Sequence, residues 1–337
     1  MTNRGGSFIG RVSGLVIQAD APVNGLRPLD VPEPPDVCVR MRGTRDQTPL
    51  GEALSAWYVS PYCDERGVPS LTILKVRPEG RALRPGYLLC YAEGTRFLVS
   101  GSGCDVDAWW DEPLTDVDAA DYLLGGVVAF IARLRGRVPI HASAIVIDDQ
   151  AVLFAGAAGA GKSSIASAFA VLGYPVLSDD VVVIDASGGR LVAYPSRARL
   201  SLWSDSAASL FSTKSLPAHS EVYAKRRLDL FEHGYRFHER PVSVGTVCIL
   251  TDRCASTSGL TIRTLRAQAA LMNLVSHTYG NYLLDASMRS REFDVLGRLA
   301  EAVCVNELSL SAGLDGLVSD CRSLADHLAI QSAAQTT

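Results

Sequence analysis

From Gly156 to Ser163 the chain reads Gly-Ala-Ala-Gly-Ala-Gly-Lys-Ser, a glycine-rich run closed by a lysine and a hydroxyl. These residue types in this order suit the binding of a polyphosphate. Glycines allow the backbone to turn its N–H groups inward, so Gly156, Ala157, Ala158, Gly159, Ala160 and Gly161 can offer amides to phosphate oxygens. Lys162 can reach the β- and γ-phosphates, Ser163 can ligate Mg²⁺, and Ser164 lies in the first turn of a helix whose positive end faces the same anion. The apolar segment Ala151–Ala155 precedes the run and the alanine-rich Ser164–Leu172 follows it, stopped by Gly173. That is the strand, loop and helix order of a nucleoside triphosphate site.

A phosphate loop alone does not separate hydrolase, kinase and switch protein. The discriminating residue is the acid that handles Mg²⁺ and the nucleophile, and two candidates stand. Val247-Cys248-Ile249-Leu250-Thr251-Asp252 has the form of an apolar strand ending in an acid, whereas Asp179-Asp180 lies 17 and 18 residues after Lys162, one helix and one short turn further on. An extended return through Pro175–Leu177 would carry the Asp pair back along the helix towards the phosphates. Adjacent carboxylates suit phosphoryl transfer to a hydroxyl, because one can hold Mg²⁺ while the other accepts the proton of the alcohol. His141 lies 15 residues before Gly156 on a strand whose hairpin partner runs into the loop. Its ring either packs in the core or faces the phosphates.

The elements that must position these groups follow from pattern. Residues 1 to about 115 read as short strands at Phe8–Gln18, Val37–Arg42, Ala56–Ser60, Leu71–Val76, Tyr87–Tyr91 and Arg96–Ser100, a small mixed-β domain. A connecting helix is expected over 116–136, capped by Thr115 or Asp116, with Arg133 and Arg135 in its last turn and a body apolar nearly all round. A P-loop domain spans 137–312, opening with the hairpin Val138–Ile147 and Ala151–Ala155, and a C-terminal helix and tail occupy 313–337. Within it Ser212–Arg240, rich in basic residues, reads as a mobile loop over the site. Ala267–Tyr279 and Tyr282–Val303 read as helices.

Composition excludes several classes. Of 337 residues 47% are apolar and 20% charged, which describes a globular chain, and a net charge of −4 argues against a nucleic-acid partner. Met1–Gly10 lacks the apolar core of a signal peptide and Tyr122–Ala132 is too short to cross a bilayer, so a cytoplasmic protein without a membrane partner is expected. Eight scattered cysteines form no C-x-x-C pair and suggest neither a metal site nor a disulfide framework.

The stretch from His141 to Ile184 resembles the HPr kinase/phosphorylase superfamily: His-Ala-Ser-Ala, an apolar hairpin, Gly-x-x-x-x-Gly-Lys-Ser, a short helix ending in Gly-Tyr, then Ser-Asp-Asp and an apolar run. The resemblance implies an α/β fold with a small mixed-β domain ahead of a kinase domain related to phosphoenolpyruvate carboxykinase, and it favours the Asp pair over Asp252. It implies ATP and Mg²⁺ as cofactors, Lys162 on the phosphates, Ser163 on the metal, Asp180 as proton acceptor from a serine hydroxyl, and His141 and Asp179 in support. The Arg-Gly-Leu-Gly-Ile segment that carries a metal-binding glutamate in that family is missing, and so is Arg-Pro-Gly-Arg-Asn near the C-terminus. Asp205 falls near the place of the glutamate and is a candidate metal ligand beside Ser163 and Asp179. The chain is more similar to the divergent members encoded with ribosomally made, modified peptides, the lasso-peptide tailoring kinases among them. The acceptor this implies is a serine at the C-terminal end of a precursor peptide, with Lys225, Arg226 and Arg227 contacting triphosphate or peptide carboxylate. A kinase for free serine or an HPr-like protein and a non-catalytic nucleotide-binding regulator are the rival readings, and homo-oligomerisation is left open.

Overall fold

The computed structural model describes residues 7–31, 33–43, 54–76, 85–211, 226–251, 259–311 and 313–335. The chain is a mixed α/β protein that divides into two compact units, Met1–Arg135 and Gly136–Thr337. No helix among the described residues is long and apolar enough to cross a membrane.

In the first unit β1 (Phe8–Val12), β2 (Leu15–Ala19), β3 (Val37–Met41), β4 (Leu54–Val59), β5 (Leu71–Val76), β6 (Gly86–Tyr91), β7 (Arg96–Ser100) and β8 (Asp105–Trp109) form one sheet. Its order is β1-β2-β3-β8-β7-β6-β5-β4. The single strand expected over Phe8–Gln18 is a hairpin instead, because Ser13 and Gly14 take left-handed φ of 51° and 74° and turn the chain back. The expected helix is α1 (Asp116–Tyr122), a π-helical turn over Leu123–Val127 that holds the pair Gly125-Gly126, and α2 (Val128–Leu134). It packs within this unit, where Phe130 lies 6.1 and 5.1 Å from the rings of Trp57 and Tyr87 and Tyr122 lies 4.0 Å from that of Tyr91.

The second unit is built on a sheet whose strands are β9 (Val138–Ile140), β10 (Ala142–Ile147), β11 (Gln150–Ala155), β12 (Val176–Ser178), β13 (Val182–Asp185) and β14 (Val192–Tyr194). Two further strands pair apart from it, β15 (Arg199–Leu202) and β16 (Arg226–Asp229); β17 (Val242–Leu250), β18 (Thr261–Thr264) and β19 (Cys304–Ser309) complete the large sheet. The helices are α3 (Lys162–Val171), α4 (Ser204–Phe211), α5 (Ala267–Ser276), α6 (Ala286–Ala302) and α7 (Leu317–Gln335). Along β11, Val152 and Phe154 enter one core with Phe169 of α3 and Leu324 of α7, while Ala151, Leu153 and Ala155 enter the other with Leu274 of α5 and Leu299 of α6. Successive side chains on a strand point to opposite faces, so a sheet covered on both faces needs an unbroken apolar run. Each large side chain so buried contributes about 1.5–3 kcal/mol.

Three local departures from the pattern reading matter for the site. The strand expected over Val138–Ile147 breaks at His141: β9 pairs with β13, whereas β10 pairs with β11 and β12. The polar stretch expected as a loop over 212–240 contains a strand, since Leu228 and Leu230 are fully buried and Leu228 pairs with Leu200 across β15 and β16. Residues 281–283 form a 3-10 turn, so the helix expected to begin at Tyr282 begins at Ala286, capped by Asp285, whose carboxylate accepts the Met288 N–H at 2.8 Å.

Candidate active site

The strand β11 ends at Ala155 and α3 begins at Lys162, leaving Gly156–Gly161 as the connecting loop. Gly159 and Gly161 hold φ of 81° and 99°, which side chains resist, and a Cβ on Gly156 would stand 3.1 Å from that of Leu250 and 3.3 Å from that of Ala160. Ala157, Ala158 and Gly159 are exposed at the crest. The Lys162 ammonium is buried under this loop and donates to the carbonyls of Gly156 at 3.0 Å and Ala157 at 2.9 Å. It thus lies at the base of the loop, held by two neutral carbonyls.

The antiparallel pairing of β10 with β12, Ala144 opposite Ser178, delivers Asp179 and Asp180 beside the start of β10. Asp179 is buried and accepts three hydrogen bonds: from Ser143 Oγ at 2.6 Å and Ser163 Oγ at 2.8 Å on Oδ1, and from the Ser201 N–H at 2.9 Å on Oδ2. One carboxylate therefore ties β10, α3 and β15 together. The Ser163 proton points at Asp179, so the lone pairs of that hydroxyl remain for a cation, which fits Mg²⁺ held by one hydroxyl and completed by phosphate oxygens and water.

Asp180 has a different environment. The Val181 N–H donates to the Asp179 carbonyl at 3.0 Å around an Asp180 φ of 73°, a γ-turn of the strained kind, braced by Ser178 Oγ donating to the Val181 carbonyl at 2.6 Å. Such a backbone costs about 1–3 kcal/mol and persists where the surroundings impose it. The turn leaves the Asp180 side chain 43% exposed, with Oδ1 3.6 Å from Nδ1 of His141, itself 30% exposed. The break in the strand at His141 has a backbone cause: its N–H turns out of the sheet and donates to the carbonyl of His277 at 2.8 Å.

His277 meets the site through its backbone carbonyl, which takes the His141 N–H, and has no signal in the sequence motifs. It follows α5 in a turn that runs along the break, with Thr278 bridged to Ile140, the Tyr279 N–H donating to Pro139 at 2.9 Å, and the Tyr279 ring 6.0 Å from that of His141. Burial pushes the imidazole below its ordinary value, and the Lys162 ammonium and then His141 push it further in the same direction.

The remaining expected residues are spread around this centre. The Ser164 hydroxyl is buried against Ser206 Oγ at 3.2 Å, so its side chain braces α3 on α4. Asp205 is exposed in the first turn of α4, next to that contact. Among the described residues no three His, Cys, Asp or Glu side chains gather as a metal site. Arg226 is exposed at the start of β16, opposite Leu202, and Arg227 pairs with Ser201, the residue whose amide holds Asp179. Lys225 and Asp252 lie outside the described residues.

No known protein family matches the chain. No curated protein matches it either. Among solved structures, the Hpr(Ser) kinase/phosphatase from Coxiella burnetii is similar at a TM-score of 0.35 and 14% identity, over 59% of this chain and 94% of that one.

Proposed function

We propose that the protein is an ATP- and Mg²⁺-dependent kinase that transfers the γ-phosphate to a serine hydroxyl of a peptide, the leading candidate being the C-terminal serine of a ribosomally made precursor peptide. The observation that carries this reading is the division of labour between adjacent carboxylates. Asp179 accepts three hydrogen bonds and fixes Ser163, while Asp180 is held on a strained turn, partly open to solvent and beside His141. An open carboxylate next in sequence to the one that fixes Ser163 can take the proton of an attacking hydroxyl. The motif resemblance from His141 to Ile184 supports the same chemistry.

In this reading the loop amides and Lys162 hold the β- and γ-phosphates, with the ammonium moving from two carbonyls to phosphate oxygens. Mg²⁺ supplies charge neutralisation of the phosphates, with the Ser163 hydroxyl as its ligand from the chain and Asp179 orienting that hydroxyl. Asp180 accepts the proton as the serine oxygen attacks in line, and His141 orients Asp180. Expected at the acceptor side are Arg226, Arg227 and Lys225, whose charge complements a peptide carboxylate.

The test is mass spectrometry of peptides ending in serine, and of free serine alongside, incubated with the protein, Mg²⁺ and ATP, with Asp180→Asn as control. A gain of phosphate mass on the peptide that the variant loses supports the reading. Phosphorylation of free serine alone moves the acceptor to the small-molecule class, and transfer that survives in Asp180→Asn removes the role of that carboxylate.

A further inference from the structure

Asp180 stands where the chain crosses between two parts of the large sheet. β12, which ends at Ser178, pairs with β10, whereas β13, which begins at Val182, pairs with β9 and β14. The crossing is made by Asp179, Asp180 and Val181 alone, and Asp180 takes its φ of 73° there. The bond from the Val181 N–H to the Asp179 carbonyl closes the turn through the backbone. A second bond spans it by a side chain: the Ser178 hydroxyl, fully buried, donates to the Val181 carbonyl three residues on at 2.6 Å. Ser196 Oγ lies 2.8 Å from the same hydroxyl, and the Ser196 N–H donates to the Leu177 carbonyl at 3.1 Å. Ser196 belongs to the link from β14 to β15, the strand whose Ser201 amide holds Asp179.

We propose that Ser178 is a positioning residue for phosphoryl transfer: its hydroxyl, acting through the Val181 carbonyl, keeps Asp180 on the left-handed turn and so keeps the Asp180 carboxylate beside His141. The proposal rests on the reading of Asp180 as the proton acceptor. Left-handed backbone is disfavoured for a residue with a Cβ, by an amount comparable with the net worth of one or two hydrogen bonds. The Ser178 bond is therefore large enough to decide whether the turn holds. Without it the carbonyl of the buried Val181 loses this donor, and the crossing relaxes towards right-handed backbone. A change of φ at one residue swings its Cα–Cβ bond, so the Asp180 carboxylate leaves its 3.6 Å approach to Nδ1 of His141. The three donors on Asp179 come from Ser143, Ser163 and Ser201, none of them from Ser178. Loss of the Ser178 hydroxyl thus reaches transfer and spares Ser163 and the phosphate loop.

The experiment measures transfer from ATP to peptides ending in serine and to free serine, with the Kd of Mg²⁺-ATP from calorimetry, for the full-length wild type, Ser178→Ala, Asp180→Asn and the double variant. Crystal structures of the wild type and Ser178→Ala accompany it. Expected in Ser178→Ala is a roughly tenfold lower kcat at unchanged Kd, with no further loss when the same change is made in Asp180→Asn, because residues that act through one another do not add. The crystal structure of Ser178→Ala should show Asp180 out of the left-handed region and its carboxylate away from His141. A wild-type kcat in Ser178→Ala, an equal loss in both backgrounds, a weakened Kd or an unmoved turn each overturns the inference and leaves Asp180 as the base. Transfer that survives in Asp180→Asn, or that the wild type does not perform, ends the reading of Asp180 as base and this inference with it. Should Ser178→Ala not fold, Ser178→Cys, which fills the same space and donates only weakly, passes through the same measurements.

Discussion

Asp179 and Asp180 are chain neighbours with opposite surroundings, and each predicts its own failure. Asp180→Asn is expected to lower the rate of transfer about 10²–10⁴-fold, the usual range for a general base, with nucleotide affinity measured by calorimetry unchanged. Asp179→Ala strands the Ser143 and Ser163 hydroxyls and the Ser201 amide, three donors that now share one carboxylate. The expected result is a loss of about 2–3 kcal/mol in urea unfolding as well as loss of Mg²⁺-dependent nucleotide binding, because buried donors without acceptors cost that much. The Asp-Asp pair was legible from its spacing to Lys162. Which of the two is buried was not, since that depends on Ser143, Ser163 and Ser201 arriving from three separate elements.

At the scale of elements, the loop Gly156–Gly161 holds two kinds of glycine. A Cβ on Gly159 would meet nothing within 4 Å, so Gly159→Ala carries only the backbone penalty of a φ of 81°, about 1–2 kcal/mol, and is expected to weaken nucleotide binding more than it lowers Tm. Gly156→Ala presses on Leu250 and Ala160 from closer range and is expected to lower Tm as well. The pair β9 and β13 carries a pH signature. Asp185 accepts from the Ser187 N–H at 2.8 Å, Arg137 Nε at 3.0 Å and the Tyr194 hydroxyl at 3.2 Å. Burial works to raise its pKa, but these donors and the Arg137 charge prevail and hold the carboxyl below its ordinary 3.8. A depressed folded-state pKa means stability that is present above the ordinary value and lost as pH falls through the folded one. Asp185→Asn is therefore expected to lower the urea midpoint at neutral pH, and the gap to wild type should close in acid. A gap that stays constant with pH would assign Asp185 a purely steric role.

At the scale of the molecule, each unit has its own sheet and its own apolar interior, and all the residues of the candidate site described above belong to the second. A ligand that binds only the folded state stabilises it by about 2.7 kcal/mol at a hundredfold excess over Kd, which for a unit of this size raises Tm by about 5–10 °C. Calorimetry with Mg²⁺ and ATP should show that rise in the unfolding transition of the second unit. Lys162→Ala should abolish it, since the loop then lacks the ammonium that phosphate would draw from the Gly156 and Ala157 carbonyls.

What the sequence determined by itself was local. The glycine-rich run with its lysine and serine, the apolar strand before it, the helix after it and the acid pair beyond are contiguous, and their physics acts over a few residues of backbone. The break of the strand at His141, the strand at Arg226–Asp229 inside a basic stretch, and the presence of His277 were decided by tertiary structure alone. In each case hydrogen bonds between residues distant in the chain outweigh local pattern: β13 and β12 compete for the two halves of one apolar run, Leu228 and Leu230 are buried among polar neighbours, and a carbonyl at the end of α5 takes the His141 amide. Periodicity reports which residues want burial; it carries no record of which distant backbone group will satisfy a given N–H.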